Sequence, residues 1–289
     1  MVLQMQAFRL GDINRFPFID PPEPRAIRDA FRLLDELAAL RGGKLTKIGQ
    51  QMARLPVDPR LARMLITSAD LGCLNELLII VSGLAVQDPR ERPSEKTAAA
   101  DTAHERFLDE RSDFLSLLNL WKWIEEQREE LTRNRWQRLL SKQFVSPQRV
   151  REWRELHRQL RLSCRDLGLR ENQEAGSYER IHESILSGSL SQIAWHEERG
   201  NYLGARNLRL NIFPGSGLAK KKPKWMVAAE VVETRRVFAR CVAQVEASWI
   251  ERQAQHLLKH RFSEPVWSAK RGEVIAYETI TLYGLVLAV

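Results

Sequence analysis

The sequence predicts an α+β protein in which a winged-helix-like unit and a helical bundle precede a small antiparallel β-barrel. Three observations lead to this prediction. Apolar residues recur every three or four positions through the first two thirds of the chain, they alternate at every second position beyond that, and polar segments rich in Gly and Pro separate the periodic runs. At 289 residues, the chain is long enough for two or three modules with separate cores.

The winged-helix-like unit is predicted at residues 22–62. Its first helix is indicated by four apolar residues at helical spacing: Ile27, Phe31, Leu34 and Leu37. Gly42 and Gly43 are expected to end that helix, and residues 45–49 to form a short extended arm. In residues 55–60, two prolines flank an aspartate and mark a turn followed by a new helix start. This order of elements is typical of a winged helix.

The helical bundle is predicted at residues 63–188, because helical periodicity continues to about residue 167. Residues 88–101 are polar and contain two prolines, which predicts an exposed connection. Residues 170–177 are predicted to be a linker, and residues 178–186 one more helix that ends at a glycine.

The barrel is predicted at residues 189–260. Two runs alternate at period two, which indicates strands: the first around Leu208, Leu210 and Ile212, the second from Val237 to Val245. Turns are expected at Arg199-Gly200-Asn201, at residues 214–217 and at residues 233–234, and a helix from Ser248 to about His260.

Residues 261–289 are predicted to begin a C-terminal extension. Residues 273–289 are strand-like and finish on the apolar run 285–289. Because an unpaired apolar strand at a free terminus promotes aggregation, we expect the chain to be part of a larger protein.

The formal net charge of +8 favours polyanionic partners, since Lys and Arg side chains gain free energy by displacing counterions from phosphates. An acidic lipid surface is the alternative. No apolar run reaches the roughly 18 residues that span a bilayer, and the N-terminus has no signal-peptide pattern. We therefore expect a cytoplasmic protein with no membrane partner.

No catalytic or metal site is predicted. Cys73, Cys164 and Cys241 lie far apart and lack the spacing of zinc ligands, so they are interpreted as structural thiols. His256 and His260 are spaced i, i+4 but lack two further ligands. The sequence also shows no pattern that indicates a nucleophile–base pair.

The first candidate binding surface lies within residues 133–165, where ten Lys and Arg side chains accompany two glutamates. On a helix, one face would carry Arg151, Arg154, Arg158, Arg161 and Arg165. The apolar residues, from Val150 to Cys164, would lie roughly opposite. Such a helix could bury one face and offer guanidinium groups to phosphates from the other, although a merely solvated charged face is the alternative.

The second candidate is the barrel, whose basic residues are Lys220, Lys221, Lys222, Lys224 and Arg240, with Arg206, Arg209, Arg235 and Arg236 nearby. Tyr202, Phe213 and Trp225 are interleaved with them. Cations mixed with aromatic rings suit single-stranded nucleic acid, whose bases stack while its backbone is held electrostatically. Trp225 begins a strand, and a place in the core is the alternative for its side chain.

Several strings resemble the region that follows the motor domains in DEAH-box RNA helicases. Residues 16–22 (FPFIDPP), 45–49 (LTKIG) and 55–60 (LPVDPR) are similar to the winged-helix signature of that family. Residues 112–119 (SDFLSLLN) are similar to a segment of its helical, ratchet-like bundle. The resemblance implies that residues 1–21 are the end of a motor domain or a linker.

Other strings narrow the resemblance to the bacterial, HrpA-type branch. Residues 213–218 (FPGSGL) and 224–230 (KWMVAAE) resemble its oligonucleotide-binding (OB) fold, so the barrel is expected to be OB-like. Residues 281–285 (TLYGL) resemble the start of its C-terminal extension, but Val286 stands where that branch has proline.

The resemblance implies a nucleic-acid-binding accessory region of an ATP-dependent helicase that grips single-stranded RNA during unwinding. The chain contains neither a GxxxxGK[ST] phosphate loop nor a DEAH tetrapeptide, so it is expected to hydrolyse no ATP alone. ATP and Mg²⁺ are expected for the motor domains, which would be partners within the same protein. The alternatives are a freestanding RNA-binding adaptor and a protein-interaction scaffold.

Overall fold

The computed structural model describes residues 1–197, 201–268 and 272–288. The chain divides into two compact units, the first with Met1–Asp109 and Asp113–Gly188, the second with Glu110–Ser112 and Ser189–Val289. Arg199 and Gly200 of the predicted turn, and Val289 of the terminal apolar run, lie outside the described residues. Within those residues, no helix is long and apolar enough to cross a membrane.

The first unit, here called the helical unit, has a two-stranded hairpin among its helices. Its elements are α1 (Val2–Ala7), α2 (Pro24–Glu36), β1 (Leu40–Arg41), β2 (Lys44–Leu45), α3 (Lys47–Met52), α4 (Pro59–Leu71), α5 (Leu74–Ala85), α6 (Thr97–Glu105), α7 (Asp113–Glu130), α8 (Arg133–Lys142), α9 (Pro147–Asp166) and α10 (Tyr178–Gly188).

The glycine pair forms a hairpin turn and does not end α2, so that prediction was wrong. Helix α2 already ends at Glu36. Gly42 and Gly43 have φ values of 57° and 74° and connect β1 to β2, which pair in antiparallel register. Two-residue hairpin turns of type I′ have positive φ at both central positions, and glycine adopts it without steric cost.

Thr46 converts the predicted extended arm into a helix start. Its Oγ1 accepts a hydrogen bond from the Gly49 N–H at 3.1 Å and donates to the Ala38 carbonyl at 2.7 Å. This N-cap begins α3 at Lys47, so only Leu45 and the extended cap residue Thr46 of the predicted arm precede the helix. At α4 the prediction is confirmed: Asp58 is the N-cap, and its carboxylate accepts from the Arg60 N–H at 2.9 Å.

Two predicted connections are more ordered than expected. The polar segment 88–101 contains a 3₁₀ turn, Ser94–Lys96, and the first residues of α6, which starts at Thr97. Residues 170–177 are tied to the start of α5: the Asn172 side chain accepts from the Asn75 N–H at 2.8 Å, and Glu76 accepts from the Gly176 N–H at 3.0 Å. These bonds satisfy N–H groups that have no partner within their own segment.

The second unit, here called the barrel unit, has these elements after a 3₁₀ turn (Leu190–Gln192): β3 (Ile193–His196), β4 (Tyr202–Gly204), β5 (Arg209–Ile212), β6 (Trp225–Glu233), β7 (Val237–Gln244), α11 (Ala247–Ala254), β8 (Lys259–Phe262), β9 (Val266–Ser268), β10 (Glu273–Ile275), β11 (Glu278–Leu282) and β12 (Leu285–Ala288).

Strands β3 to β7 form a closed barrel in the order β3-β4-β5-β7-β6. The prediction of an α+β chain with a small barrel is therefore confirmed. One detail differs: β5 and β7 pair in parallel, whereas the other barrel pairs are antiparallel. The barrel is closed by this parallel pair, which joins strands that are not consecutive in the chain.

Side chains from all five strands fill the barrel, among them Tyr202, Leu210, Met226 and Val242. The period-two pattern of β7 breaks at Cys241, whose φ is 50°. Ala239 and Val242 both point into the core, although they stand an odd number of positions apart. The left-handed residue between them therefore changes which positions of β7 face inward.

The helix α11 ends at Ala254, so the prediction that it reaches His260 was wrong. His260 lies in β8, which pairs with β11, and β11 pairs in turn with β12. The apolar run that was expected to be unpaired thus forms the β12 edge of a three-stranded sheet, with Leu285 buried. Along β12, less exposed side chains alternate with exposed ones.

Candidate nucleic-acid interface

Helix α9 is fixed in the helical unit by an apolar face. Val150, Trp153, Leu160 and Cys164 are buried. The Trp153 indole N–H donates to the Ile79 carbonyl and to the Ser82 hydroxyl, both at 3.0 Å. The α9 backbone is therefore held firmly against α5, and its arginines project from a fixed support.

Three of the four arginines proposed on α9 are engaged in ion pairs. Arg154 lies 2.7 Å from Glu125 of α7, Arg158 lies 2.6 Å from Glu155, and Arg161 lies 2.8 Å from Glu171. The arginines of α9 were predicted to lie opposite its apolar face, but they do not. Arg154 is only partly exposed and lies at the border of the apolar face. Each pair places a carboxylate beside the guanidinium and weakens its field on a phosphate.

Arg151 and Arg165 differ from those three arginines. Both are exposed, and neither has a carboxylate partner among the described residues. Of the predicted α9 site, Arg151 therefore remains the side chain most available to an anionic ligand.

His157 lies beside the stripe and packs on Trp121, with ring centroids 4.7 Å apart. Burial, reinforced by the positive charge of Arg161, lowers the pKa of His157 to about 4. The imidazole is therefore neutral near pH 7 and adds no charge to this surface.

Helix α8 lies within the candidate run 133–165, although none of its basic residues was chosen as a site residue. Its four basic side chains are Arg133, Arg135, Arg138 and Lys142. All four are exposed and lack a carboxylate partner among the described residues. The signal in the sequence was their number together with the absence of Asp and Glu between residues 131 and 151.

The barrel lysines lie on the loop that joins β5 to β6. Lys220, Lys221, Lys222 and Lys224 are all exposed. Lys221 lies 2.7 Å from Glu110 of the same unit, whereas the other three have no carboxylate partner within the described residues. The loop thus presents three uncompensated cations over five residues.

The three aromatic candidates of the barrel have different surroundings. Tyr202 and Trp225 are buried, so neither offers a face to a base. For Trp225, the alternative of a place in the core is therefore correct. The Tyr202 hydroxyl donates to the Pro223 carbonyl at 2.9 Å, and burial raises its pKa. Phe213 is 36% exposed, and the Arg240 guanidinium lies 5.2 Å from its ring centroid. Phe213 is therefore the accessible ring of the three.

Arg240, the remaining predicted site residue, points outward from β7. Its Nη1 lies 3.9 Å from Glu230 on the neighbouring strand, and more than half of each side chain is exposed. An exposed pair of this kind contributes little to stability. The guanidinium can therefore exchange the carboxylate for a phosphate at low cost.

Three further arginines project from strands or turns of the barrel, although they were not chosen as site residues. Arg209 projects from β5, 4.0 Å from Glu197. Arg235 and Arg236 are exposed at the β6–β7 turn, where the Thr234 N–H donates to the Arg236 carbonyl at 2.9 Å. The sequence signal for Arg235 and Arg236 was that two adjacent arginines stand between two predicted strands.

The cysteines and histidines have ordinary structural environments. Cys73 and Cys164 are buried, and burial raises their pKa values to about 11 and about 12. His260 contacts Glu278 at 2.7 Å across β8 and β11. In the part of the chain that the structure describes, no three His, Cys, Asp or Glu side chains cluster as metal ligands do.

Three family models match separate parts of this chain. A helicase-associated (HA2) winged-helix domain matches residues 30–57, a helicase-associated ratchet-like domain residues 58–117, and an oligonucleotide/oligosaccharide-binding fold residues 181–257. The last range contains all five barrel strands, the lysine loop and Arg240.

Three helicases are similar over most of the chain. The chain is 49% identical to the ATP-dependent RNA helicase HrpA homolog of Haemophilus influenzae and 46% identical to the ATP-dependent RNA helicase HrpA of Escherichia coli, in each case over 99% of its length. It is 32% identical to the ATP-dependent RNA helicase DHX33 of Drosophila melanogaster over 87% of its length.

The chain spans 22% of the length of each of the two bacterial relatives and 36% of the length of the Drosophila one. The matched family models and the closed five-stranded barrel agree with one another in order and position. The chain therefore belongs to the HrpA-type DEAH helicases, of which it carries the helicase-associated winged-helix, ratchet-like and OB-fold regions.

Proposed function

We propose that this chain grips single-stranded RNA for a helicase of the HrpA type. The observation that carries the proposal is the lysine loop of the barrel. Lys220, Lys222 and Lys224 are exposed and lack carboxylate partners among the described residues. Such a run is suited to backbone phosphates, which it can bind without reading a base.

Phe213 and Arg240 add a surface on which bases can stack. The ring of Phe213 is accessible, and the guanidinium lies over it at 5.2 Å from the centroid. Stacking on an aromatic ring or on a guanidinium plane tolerates every base, since each base has a π-face. We therefore expect RNA binding with little sequence preference.

Three arginines that were noted near the barrel candidate, but not chosen as site residues, support the same proposal. OB folds commonly bind their ligands on the second and third strands and with the loop between the fourth and fifth. In this barrel those are β4, β5 and the β6–β7 turn, where Arg209, Arg235 and Arg236 project. These three arginines thus lie on elements that OB folds use for oligonucleotides, whereas the lysine loop joins the third and fourth strands of the barrel.

The rest of the proposed activity belongs to segments outside this sequence. The three relatives are named ATP-dependent RNA helicases, and this chain has no phosphate loop of its own. We propose that motor domains of the same protein bind ATP and Mg²⁺ and are partners of this region. The chain would then hold the strand on which the motor acts.

Exposed apolar side chains beyond the barrel favour protein contact as a second candidate function. Phe262, Trp267, Val274 and Tyr277 are each more than half exposed. Val274 and Trp267 are register partners on β10 and β9, and neighbouring exposed apolar side chains can mark an interaction surface. Protein contact is compatible with RNA binding, and it would be the sole function if the chain bound no RNA.

A competition experiment tests the proposed function. The purified 289-residue chain is titrated into a labelled single-stranded RNA, and unlabelled single strand or blunt duplex is added as competitor. We expect the single strand to compete more strongly, because stacking requires unpaired bases. Equal competition by duplex and single strand would contradict the proposal, as would the absence of binding.

Substitution of the lysine loop provides the matched variant. The triple change Lys220→Ala, Lys221→Ala, Lys222→Ala is expected to weaken binding of all sequences alike, since phosphate contacts carry no base information. A loss confined to one sequence would show that the loop reads bases instead.

A further inference from the structure

The charges on α8 are placed in a way that does not favour the helix itself. Arg133 and Arg135 lie in its first turn, which contains no acidic residue, and Thr132 makes no side-chain cap bond. The N-terminal end of a helix carries partial positive charge, so cations there are unfavourable. Helix stability therefore does not account for these arginines.

Three of the cations form one stripe, here called the α8 stripe: Arg135, Arg138 and Lys142. At about 100° per residue they lie within about 60° of one another and extend over about 10 Å of the axis. Their spacings of three and four residues bring like charges together, which again destabilises an isolated helix.

The buried face of α8 lies on the other side of the helix. Trp136 and Leu140 are buried, and the Trp136 indole N–H donates to the Ile124 carbonyl of α7 at 3.2 Å. By helical geometry, this pair points about 150° away from the α8 stripe. The stripe thus projects from an anchored helix into solvent.

The neighbouring helix α9 provides an internal comparison. Arg154, Arg158 and Arg161 each have a carboxylate within 2.8 Å. No member of the α8 stripe has a carboxylate within 4.0 Å among the described residues. Helix α9 carries six arginines and α8 carries three. Three of the six on α9 are paired with carboxylates of the same unit, whereas those of α8 have no such partner among the described residues.

We propose that the α8 stripe is a phosphate-binding surface of the helical unit and holds the backbone of single-stranded RNA, an inference that rests on the proposed function. Arginine offers parallel N–H donors that match the oxygens of a phosphate, and three cations without an intervening acid suit a polyanion. An acidic protein segment is the competing ligand and is included in the test.

The experiment compares two double variants of the whole chain that remove equal charge. One carries Arg135→Gln and Arg138→Gln on α8, and the other Arg158→Gln and Arg161→Gln on α9. Affinity for a labelled single-stranded RNA is measured from roughly 50 to 200 mM salt, a range over which phosphate contacts dominate the change. Thermal melting of each protein is followed in parallel.

The α8 variant is expected to flatten the log-affinity against log-salt slope by about 1.4, at about 0.7 per single-strand contact. Its melting temperature should be unchanged or higher, since unfavourable charge is removed from the helix start. The α9 variant should flatten the slope by less than half as much. A structural role of the stripe predicts the opposite for α8, a lower melting temperature and an unchanged slope.

Three outcomes would overturn the inference. One is an α8 variant that keeps the wild-type slope, and another is an equal change in both variants, which indicates a response to net charge alone. The third is polyglutamate competing as well as RNA of equal charge, which indicates an acidic protein ligand. If the lysine-loop variant loses affinity while the α8 variant does not, the inference fails and the proposed function stands.

Discussion

The Arg154 guanidinium and the Glu125 carboxylate lie 2.7 Å apart and join α9 to α7 within the helical unit. Both side chains are about two thirds or more buried, and Glu125 also accepts from Arg128 at 3.2 Å. Arg154 was predicted to bind RNA, but its position indicates that it also holds two helices together.

The Arg154–Glu125 pair is expected to contribute measurable stability. Arg154→Ala should lower the free energy of unfolding by about 1 kcal/mol, near the upper end for such pairs. A double-mutant cycle with Glu125→Ala should give a coupling energy of about 0.5–1 kcal/mol. Arg158→Ala is the control, since its pair with Glu155 is mostly exposed. A coupling energy of zero would mean that the pair does not stabilise the unit.

Gly49 is expected to tolerate no side chain. A Cβ at this position would overlap the Ala39 carbonyl oxygen, and it would lie 2.8 Å from a Leu45 methyl group. Gly49→Ala should destabilise the helical unit by about 1–3 kcal/mol, because backbone and packed side chains must move. Gln50→Ala, one residue along the same helix and exposed, is the control. Equal stability of the two variants in denaturant unfolding would refute the expected overlap.

His157 should make stability depend on pH. Burial holds its pKa near 4 in the folded chain, below the ordinary value of 6.5. Between these pH values the unfolded chain binds more protons, so stability falls as the pH falls, by at most about 3 kcal/mol. The free energies of unfolding of the wild type and of His157→Gln are compared at about pH 4.5 and pH 7, because most of the pH dependence caused by His157 falls between these two values. The wild type should lose more stability on acidification than the variant, and identical losses would count against the lowered pKa.

Tyr202→Phe should affect stability and leave RNA binding unchanged. The hydroxyl is buried and donates to the Pro223 carbonyl, so its removal should cost about 1 kcal/mol. Because the ring faces the barrel core, no base can stack on it. Phe213→Leu is the comparison, and it should weaken RNA binding through loss of the accessible ring. Weaker binding by the Tyr202 variant with an intact fold would show that the barrel opens to expose that ring.

Much of the fold follows from local pattern. Helical periodicity, the Asp58 cap and the alternating strands each depend on neighbouring residues, so they could be predicted from the sequence. The end of α2 at Glu36 could not, because the glycine pair signals a turn without saying which elements it joins. The parallel pairing of β5 with β7 is a contact between distant segments, and period two does not specify partners.

The candidate site was predictable in composition but not in detail. The lysine loop could be identified because its exposure follows from its charge. The ion pairs of Arg154 and Arg161 could not, because Glu125 and Glu171 lie outside the helix that carries the arginines. Tyr202 and Trp225 stand in basic stretches of the sequence, yet both are buried, and burial depends on tertiary packing.

The salt dependence of single-stranded RNA binding by the whole chain tests the central claim most directly. If the three unpaired lysines of the barrel and the three cations of the α8 stripe each neutralise one phosphate, log affinity should fall linearly with log salt, with a slope of about −4 at roughly 0.7 per contact. An affinity that does not change with salt, or the absence of saturable binding at about 50 mM salt, would contradict the account.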